Sequence, residues 1–328
     1  MKNETIAILP RSNKIDPLGF FYKYGLYVLL VALVLIFAQF NDNFLTIRNL
    51  TNLLLQASTI GLASVGLTFV MITGGIDISL SAVMYASAIV VATLSNMGAG
   101  FFTCLIATMI CGSIFGCING LLIVKLKLSP LIATLAMMFV IRGLAIAVVG
   151  INPIFFNNEV SALVTMTRVL GLLPIGVIIL FIALAASTII LKKTSFGRQL
   201  YAIGNNKLVA ERIGISVNRN VFISYFLCGL FTGLAGLASA AQIGAVVPNF
   251  AMGTEFIIIS STVLGGVSLF GGKGNSFPGA FTGVIIMLTI ENGLVMASAN
   301  MYLYSIVRGI VIFAAVFLDS LQNKGELR

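Results

Sequence analysis

The chain has 328 residues, is 59% hydrophobic and only 9% charged, and has a mean hydropathy of +1.09. So little charge cannot cover a water-soluble globule of this length, which leaves an all-α polytopic membrane protein. The net charge of +9 does not point to nucleic acid, because the Lys and Arg residues gather beside apolar runs, as topology demands, rather than forming a phosphate-binding face.

Residues 1–19 read as a polar tail with Lys2, Arg11 and Lys14. They lack a short apolar core followed by a small-residue cleavage site, so no cleaved signal peptide is expected. The first span is predicted over Phe20 to Phe40, with the turn Asn41, Asp42, Asn43 at its outer end, and the second over Leu50 to Ile72. The stretch from Gly74 to Ser79, GGIDIS, then leads into a third span, Leu80 to Ser95, either as a full turn or as a break within a helix. Span four, Phe101 to Val124, carries Gly112, Gly116 and Gly120 at intervals of four, which puts three glycines on one face for close helix approach. Lys125 and Lys127 mark its inner end, Ser129 and Pro130 open span five (Leu131 to Gly150), and the outer segment 151–170 is too polar to span. Span six covers Leu172 to Leu191.

A polar island follows from Thr194 to Asn220, with Lys192 and Lys193 at its entry and Arg198, Lys207, Arg212 and Arg219 within it. A loop so basic belongs on the cytoplasmic side. Its centre reads as a short helix, with Asn205 or Asn206 as N-cap and Gly214 where a left-handed C-cap residue belongs. Val209 and Ile213, four apart, give that helix one apolar edge to press on another protein. Span seven (Val221 to Ile243) again has glycines spaced for packing, Gly229 and Gly233. Spans eight (Phe256 to Leu269), nine (Phe277 to Ala297) and ten (Tyr302 to Leu318) complete the set, with GGKGN as the turn after span eight and a C-terminal tail over 321–328. On this count 15 of the 19 Lys and Arg lie inside, Arg48 and Arg168 outside, and Arg142 and Arg308 within spans. Both termini are then cytoplasmic. Asn119, Gly120, Leu121 recur as Asn292, Gly293, Leu294, and Arg142, Gly143 as Arg308, Gly309. Since spans four and nine run oppositely, this would be an inverted repeat.

Chemistry is sparse. There is no His, and the four cysteines (Cys104, Cys111, Cys117, Cys228) fall in apolar helices as packing residues, so metal, disulfide and general-base roles are not expected. Ionisable groups within spans cost about 2.5 to 3.5 kcal/mol each on insertion scales unless they face protein or water. They are Asp77, Arg142, Glu255, Glu291 and Arg308; Glu291 could pair with Arg308 or with Arg142, while Glu255 and Arg308 could instead snorkel. Gln56, Ser64, Thr68, Asn119 and Asn292 are candidates to line a path for a neutral polar solute, or simply to join helices. GGKG is not a phosphate loop: Val267 stands where G-x-x-x-x-G-K needs its first Gly, and Gly274 where it needs Ser or Thr.

Three blocks carry a resemblance. Thr194, Phe196, Gly197, Arg198, Ala202, Gly204, Asn206, Ala210, Gly214 and Ile215 resemble the cytoplasmic loop of permease subunits of the ribose, arabinose and galactoside class of ATP-binding-cassette importers, within the branched-chain amino acid/ribose permease family. GGIDIS is similar to that family's GGIDLS, and Leu264 to Leu269 with Gly271, Gly272, Lys273 and Gly274 to a further block. Asn205 stands where a second Gly is usual, Val209 where Ala is usual and Ser81 where Gly is usual. The resemblance, running from about residue 45 to 320, implies a multi-pass permease subunit of the bacterial inner membrane that carries a pentose, hexose or similar solute. It implies that a separate ATPase docks on the 192–220 loop, with Asn206 to Ile213 as coupling helix. It also implies an extracytoplasmic binding protein that delivers the solute, a second permease copy, identical or not, surrounding lipid, and no cofactor in this chain. Asp77 would be a structural or gating residue, or else contact solute. The rival class is a proton-coupled secondary transporter using Asp77 or Glu291; a membrane enzyme is disfavoured for want of His and paired carboxylates.

Overall fold

A computed structural model describes residues 17–155, 158–169 and 173–324; most of the N-terminal tail, Asn157 and residues 325–328 lie outside them. Helix α1 (Pro17–Phe40) is followed by α2 (Ile47–Ile72), α3 (Leu80–Asn96), α4 (Phe101–Val124) and α5 (Pro130–Val149). The polar segment expected not to span holds the short helix α6 (Asn158–Thr165) between strands β1 (Ile154–Phe155) and β2 (Arg168–Val169). Strand β3 (Leu173–Pro174) pairs with β2 and leads into α7 (Ile175–Lys193). The basic island is largely helical: α8 (Ser195–Asn205) and α9 (Lys207–Arg212) precede α10 (Val217–Ile243). Strand β4 (Ala245–Val246) pairs with β1, and then come α11 (Thr254–Leu264), a π turn at Ser276–Ala280, α12 (Phe281–Met296) and α13 (Met301–Lys324). The last helix runs through residues 321–324, which composition had assigned to the tail.

Among the described residues six helices are long and apolar enough to cross a membrane, and four shorter apolar helices accompany them. α2 is the axis of the fold. Every residue from Ala57 to Ile72 is buried, with α7, α10, α11 and α12 packed around it. Its small and hydroxyl-bearing residues, Ser58, Thr59, Gly61, Ser64, Gly66 and Thr68, let neighbouring helices approach on every side. α4 and α5 are more apolar than α2 yet mostly exposed: Phe102, Ile114, Phe139 and Val148 project outward. An apolar exterior this extensive is stable only against lipid.

The glycine spacing does what the sequence suggested, and the structure adds the partner. Gly112 and Gly116 of α4 lie against Gly229 and Gly233 of α10, and a Cβ built on Gly112 would sit 2.9 Å from the Gly233 Cα. Gly120 faces Phe222 one step further along, so the two helices run antiparallel with their backbones in contact.

Candidate functional site

The N-cap of α8 is Thr194, whose hydroxyl accepts from the Gly197 N–H at 3.1 Å and donates to the Ile190 carbonyl at 2.6 Å, turning the chain sharply out of α7. Gly197 is held against the Ile190 and Leu191 carbonyls, where no side chain fits. α8 buries Leu200 and Ile203 and leaves Arg198 exposed. Phe196 continues its apolar face, stacked on Phe69 of α2 at 6.5 Å between centroids. Of the two expected N-caps for the next helix, Asn206 is the one used: its side-chain oxygen accepts from the Val209 N–H at 3.0 Å. Gly214 ends the helix at φ +85°, the left-handed conformation expected of it. Ala210 packs beneath α9 with Ile203 and Val217. On the other side Leu208, Val209 and Ile213 are 69%, 51% and 68% exposed, beside exposed Arg212. A six-residue helix that with its C-cap Ile213 presents three large apolar side chains outward is built to be covered.

Gly204, at the end of α8, lies directly against the Ile72 carbonyl at the end of α2 and against the backbone of Gly272. The Gly272 N–H in turn donates to that same Ile72 carbonyl at 2.9 Å. Gly74, Gly271 and Gly272 all have positive φ here, and a Cβ on Gly271 would come within 2.8 Å of the Gly74 nitrogen. The three sequence blocks, with α3 to α7 between the first two and α10 and α11 between the last two, thus meet at one junction of bare backbone. Tyr201 of α8 reaches across to donate to the Gly274 carbonyl at 2.7 Å, and its burial pushes the phenol pKa up, keeping that donor protonated. Asp319 of α13 secures the far side of the glycine loop, accepting from the Leu269 N–H at 2.9 Å and the Ser268 hydroxyl at 3.2 Å.

The chain then breaks between α2 and α3. Asp77 is buried just before α3, where its Oδ1 accepts from the Ser79 N–H at 2.8 Å and the Ser79 hydroxyl at 2.6 Å. A carboxylate at a helix N-terminus is also favoured by the helix dipole. Asn119 of α4 donates to the Ser79 hydroxyl at 2.8 Å and lies 3.4 Å from Asp77 Oδ2. Tyr225 of α10 donates to the Ile76 carbonyl at 3.0 Å, and Thr134 of α5 accepts from the Ile78 N–H at 3.1 Å. The irregular segment is therefore held by hydrogen bonds from α4, α5 and α10, which satisfies backbone groups that could not face lipid.

The other candidates are elsewhere. Glu291 pairs with Arg308 at 2.7 Å, the first of the two pairings left open. Arg142 instead donates to the carbonyls of Pro248 at 3.1 Å and Phe250 at 3.3 Å and lies over the Tyr85 ring. Asn292 exchanges hydrogen bonds with Asn49 at 2.9 and 3.0 Å, joining α12 to the start of α2. Each copy of Asn-Gly-Leu thus lies in the last two turns of its helix and reaches a different neighbour, one a carboxylate cluster and the other a second amide. Gln56 is exposed, and the Thr68 hydroxyl bonds its own helix at Ser64. Sequence reasoning passed over Tyr201, Tyr225, Thr134 and Asp319. A lone hydroxyl or carboxylate in an apolar run signals a buried partner, but only folding says which.

Residues 49–316 match the sequence family described as branched-chain amino acid transport system / permease component. The ribose import permease protein of Bacillus subtilis (strain 168) is 38% identical over 321 residues, covering 97% of this chain and 98% of that protein. The D-allose transport system permease protein of Escherichia coli (strain K12) is 34% identical over 312 residues, 93% of this chain and 94% of its own length. The L-arabinose transport system permease protein of the same strain is 32% identical over 304 residues, 93% and 92% of the two chains. No solved structure matches. With four-fifths of its length inside that family and permeases similar to it from end to end, this multi-pass α-helical membrane protein belongs to the branched-chain amino acid transport system permease family.

Proposed function

We propose that the chain is the membrane-spanning subunit of an ATP-binding-cassette importer in the bacterial inner membrane, moving a monosaccharide or similar small polar solute. In this reading residues 20–320 form ten spans with both tails, 1–19 and 321–328, in the cytoplasm. A separate ATPase docks on residues 192–220, meeting the exposed Arg198 and Arg212, while Gly197, Gly204, Asn206, Ala210 and Gly214 give the loop its shape. A binding protein delivers solute from outside, a second permease copy completes the path, and ATP is consumed by the partner, with no cofactor held here.

The observation that carries the reading is the junction. α9 offers an uncovered apolar edge, and α8 rests on the Ile72 carbonyl that ends α2 and on the glycine loop after α11. A push on α9 is therefore delivered to the Gly74–Ser79 break, and from there to α3, α4, α5 and α10 through Asp77, Asn119, Thr134 and Tyr225. A ligand shifts such a two-state element only through its differential affinity for the two states, so the ATPase must bind α9 differently when closed. Asp77 acts here as a gating residue, since its oxygens are taken up by Ser79 and Asn119 rather than presented to a solute.

The test is uptake of a panel of labelled sugars into proteoliposomes that contain this chain, a candidate partner ATPase and a candidate sugar-binding protein from the same organism. Uptake that needs ATP and all three components is expected. Accumulation by this chain alone, driven by a proton gradient, would overturn the importer in favour of a secondary transporter.

A further inference from the structure

Beside the close glycine contact of α4 and α10, the two helices leave a groove of about 610 Å³ on the outer, membrane-facing surface. Its walls are almost wholly apolar, formed by Ile106, Ile110, Ile114 and Ile118 of α4 and by Phe226 and Leu230 of α10. From Ile106 to Ile118 is about 18 Å of helix, a little more than one leaflet of a hydrocarbon core about 30 Å thick.

Both walls end in a cation at the same level. On α4, Ile110, Ile114, Leu121 and Lys125 follow one another at helical spacing on one face. On α10, Arg219, Ile223, Phe226 and Leu230 do the same. The antiparallel register set by Gly112 against Gly233, Gly116 against Gly229 and Gly120 against Phe222 brings Lys125 opposite the first turn of α10. Lys125 is seven residues from Ile118 and Arg219 seven from Phe226, about 10 Å in each case. Arg219 also lines a second, polar pocket of about 350 Å³ together with Ser195, Gln199, Ser216 and Asn220. Lys125, Lys127 and Arg219 are exposed, and among the described residues none of them is in an ion pair.

From an apolar furrow in the bilayer that runs toward two unneutralised cations at the interface, we infer a binding site for an anionic phospholipid. The phosphate sits between Lys125 and Arg219, with the hydroxyls and amides of the polar pocket around the headgroup, and an acyl chain lies in the furrow with its proximal half against Ile118 and Phe226 and its distal half against Ile110 and Ile106. Charge complementarity selects the headgroup, and the length and apolarity of the groove select the chain.

Native mass spectrometry of the full-length chain, carried through detergent with phosphatidylglycerol or with phosphatidylcholine of the same acyl composition, tests this. At least tenfold greater retention of phosphatidylglycerol is expected. Lys125→Gln with Arg219→Gln should remove that preference, while Ile114→Trp, which fills the groove, should lower retention of both lipids. The double variant changes only exposed side chains, so it remains informative if Ile114→Trp fails to fold. Equal retention of the two lipids by the unaltered chain overturns the site. So does binding of glycerol 3-phosphate as tightly as the lipid, which would make the ligand a free phosphate. Unchanged lipid retention in the double variant, with loss of ATPase capture instead, overturns it too and assigns the cations to a protein interface.

Discussion

Replacing Gly204 with alanine adds one methyl group where no space exists. The new Cβ would overlap the Ile72 carbonyl oxygen and the Gly272 nitrogen, two atoms joined by a 2.9 Å hydrogen bond. Backbone cannot swing aside as a side chain does, so α8 must lift away from α2. Overpacking costs about 1 to 3 kcal/mol, and separating the buried Gly272 to Ile72 bond another 1 to 3 or so, about 2 to 6 kcal/mol together. That cost falls on one contact, so it should show as uncoupling before it shows as unfolding. In proteoliposomes carrying the ATPase, Gly204→Ala should keep the ATPase bound but lose most ATP-driven uptake. Gly143→Ala and Gly309→Ala are the controls, because a Cβ at either position meets nothing within 4 Å. Both should transport normally, with a melting temperature equal to or slightly above that of the parent. Full uptake by Gly204→Ala, or equal loss in all three variants, would refute the idea that thrust passes through this contact.

Three further outcomes are expected. Asp77→Asn keeps the shape but weakens the acceptor for the Ser79 N–H and hydroxyl, by about 1 to 3 kcal/mol; uptake should fall while the binding protein's affinity for sugar, read by calorimetry, stays the same. Arg212→Glu combined with Ile213→Ser alters only exposed groups of α9, so it should abolish pull-down of the ATPase and leave the melting curve of the purified chain unchanged. Arg308→Leu strands Glu291 in the bilayer without its 2.7 Å partner, a penalty of about 2.5 to 3.5 kcal/mol that should reduce the amount of protein inserted. Replacing Glu291 with Leu as well should restore it, and failure of that rescue would mean that the pair has a role other than mutual neutralisation.

Much of the local structure could be read from the chain. Phe101 to Val124 is a helix over the span expected, Asn206 caps α9, and Gly214 takes the left-handed turn that its position after Ile213 suggested. These are short-range matters, settled by hydrogen bonding and steric limits within a few residues. Partner choice was not legible. Asn119 and Asn292 occur in the same tripeptide, yet one joins a carboxylate cluster and the other an asparagine. Arg142 and Arg308 precede the same glycine, yet one binds carbonyls and the other Glu291. Nothing within several residues of either member distinguishes them.

Composition and periodicity alone determined that the chain is a bundle of apolar helices with a basic helical insert, because lipid forces each segment to satisfy its own backbone and leaves length and hydropathy as sufficient signals. The tertiary structure alone decided that α2 is the axis and that three glycine-rich blocks distant in sequence close on one another around Ile72. Bare backbone can pack against bare backbone at many pairings of glycines, and only the assembled bundle, with every helix competing for the same interior, selects one.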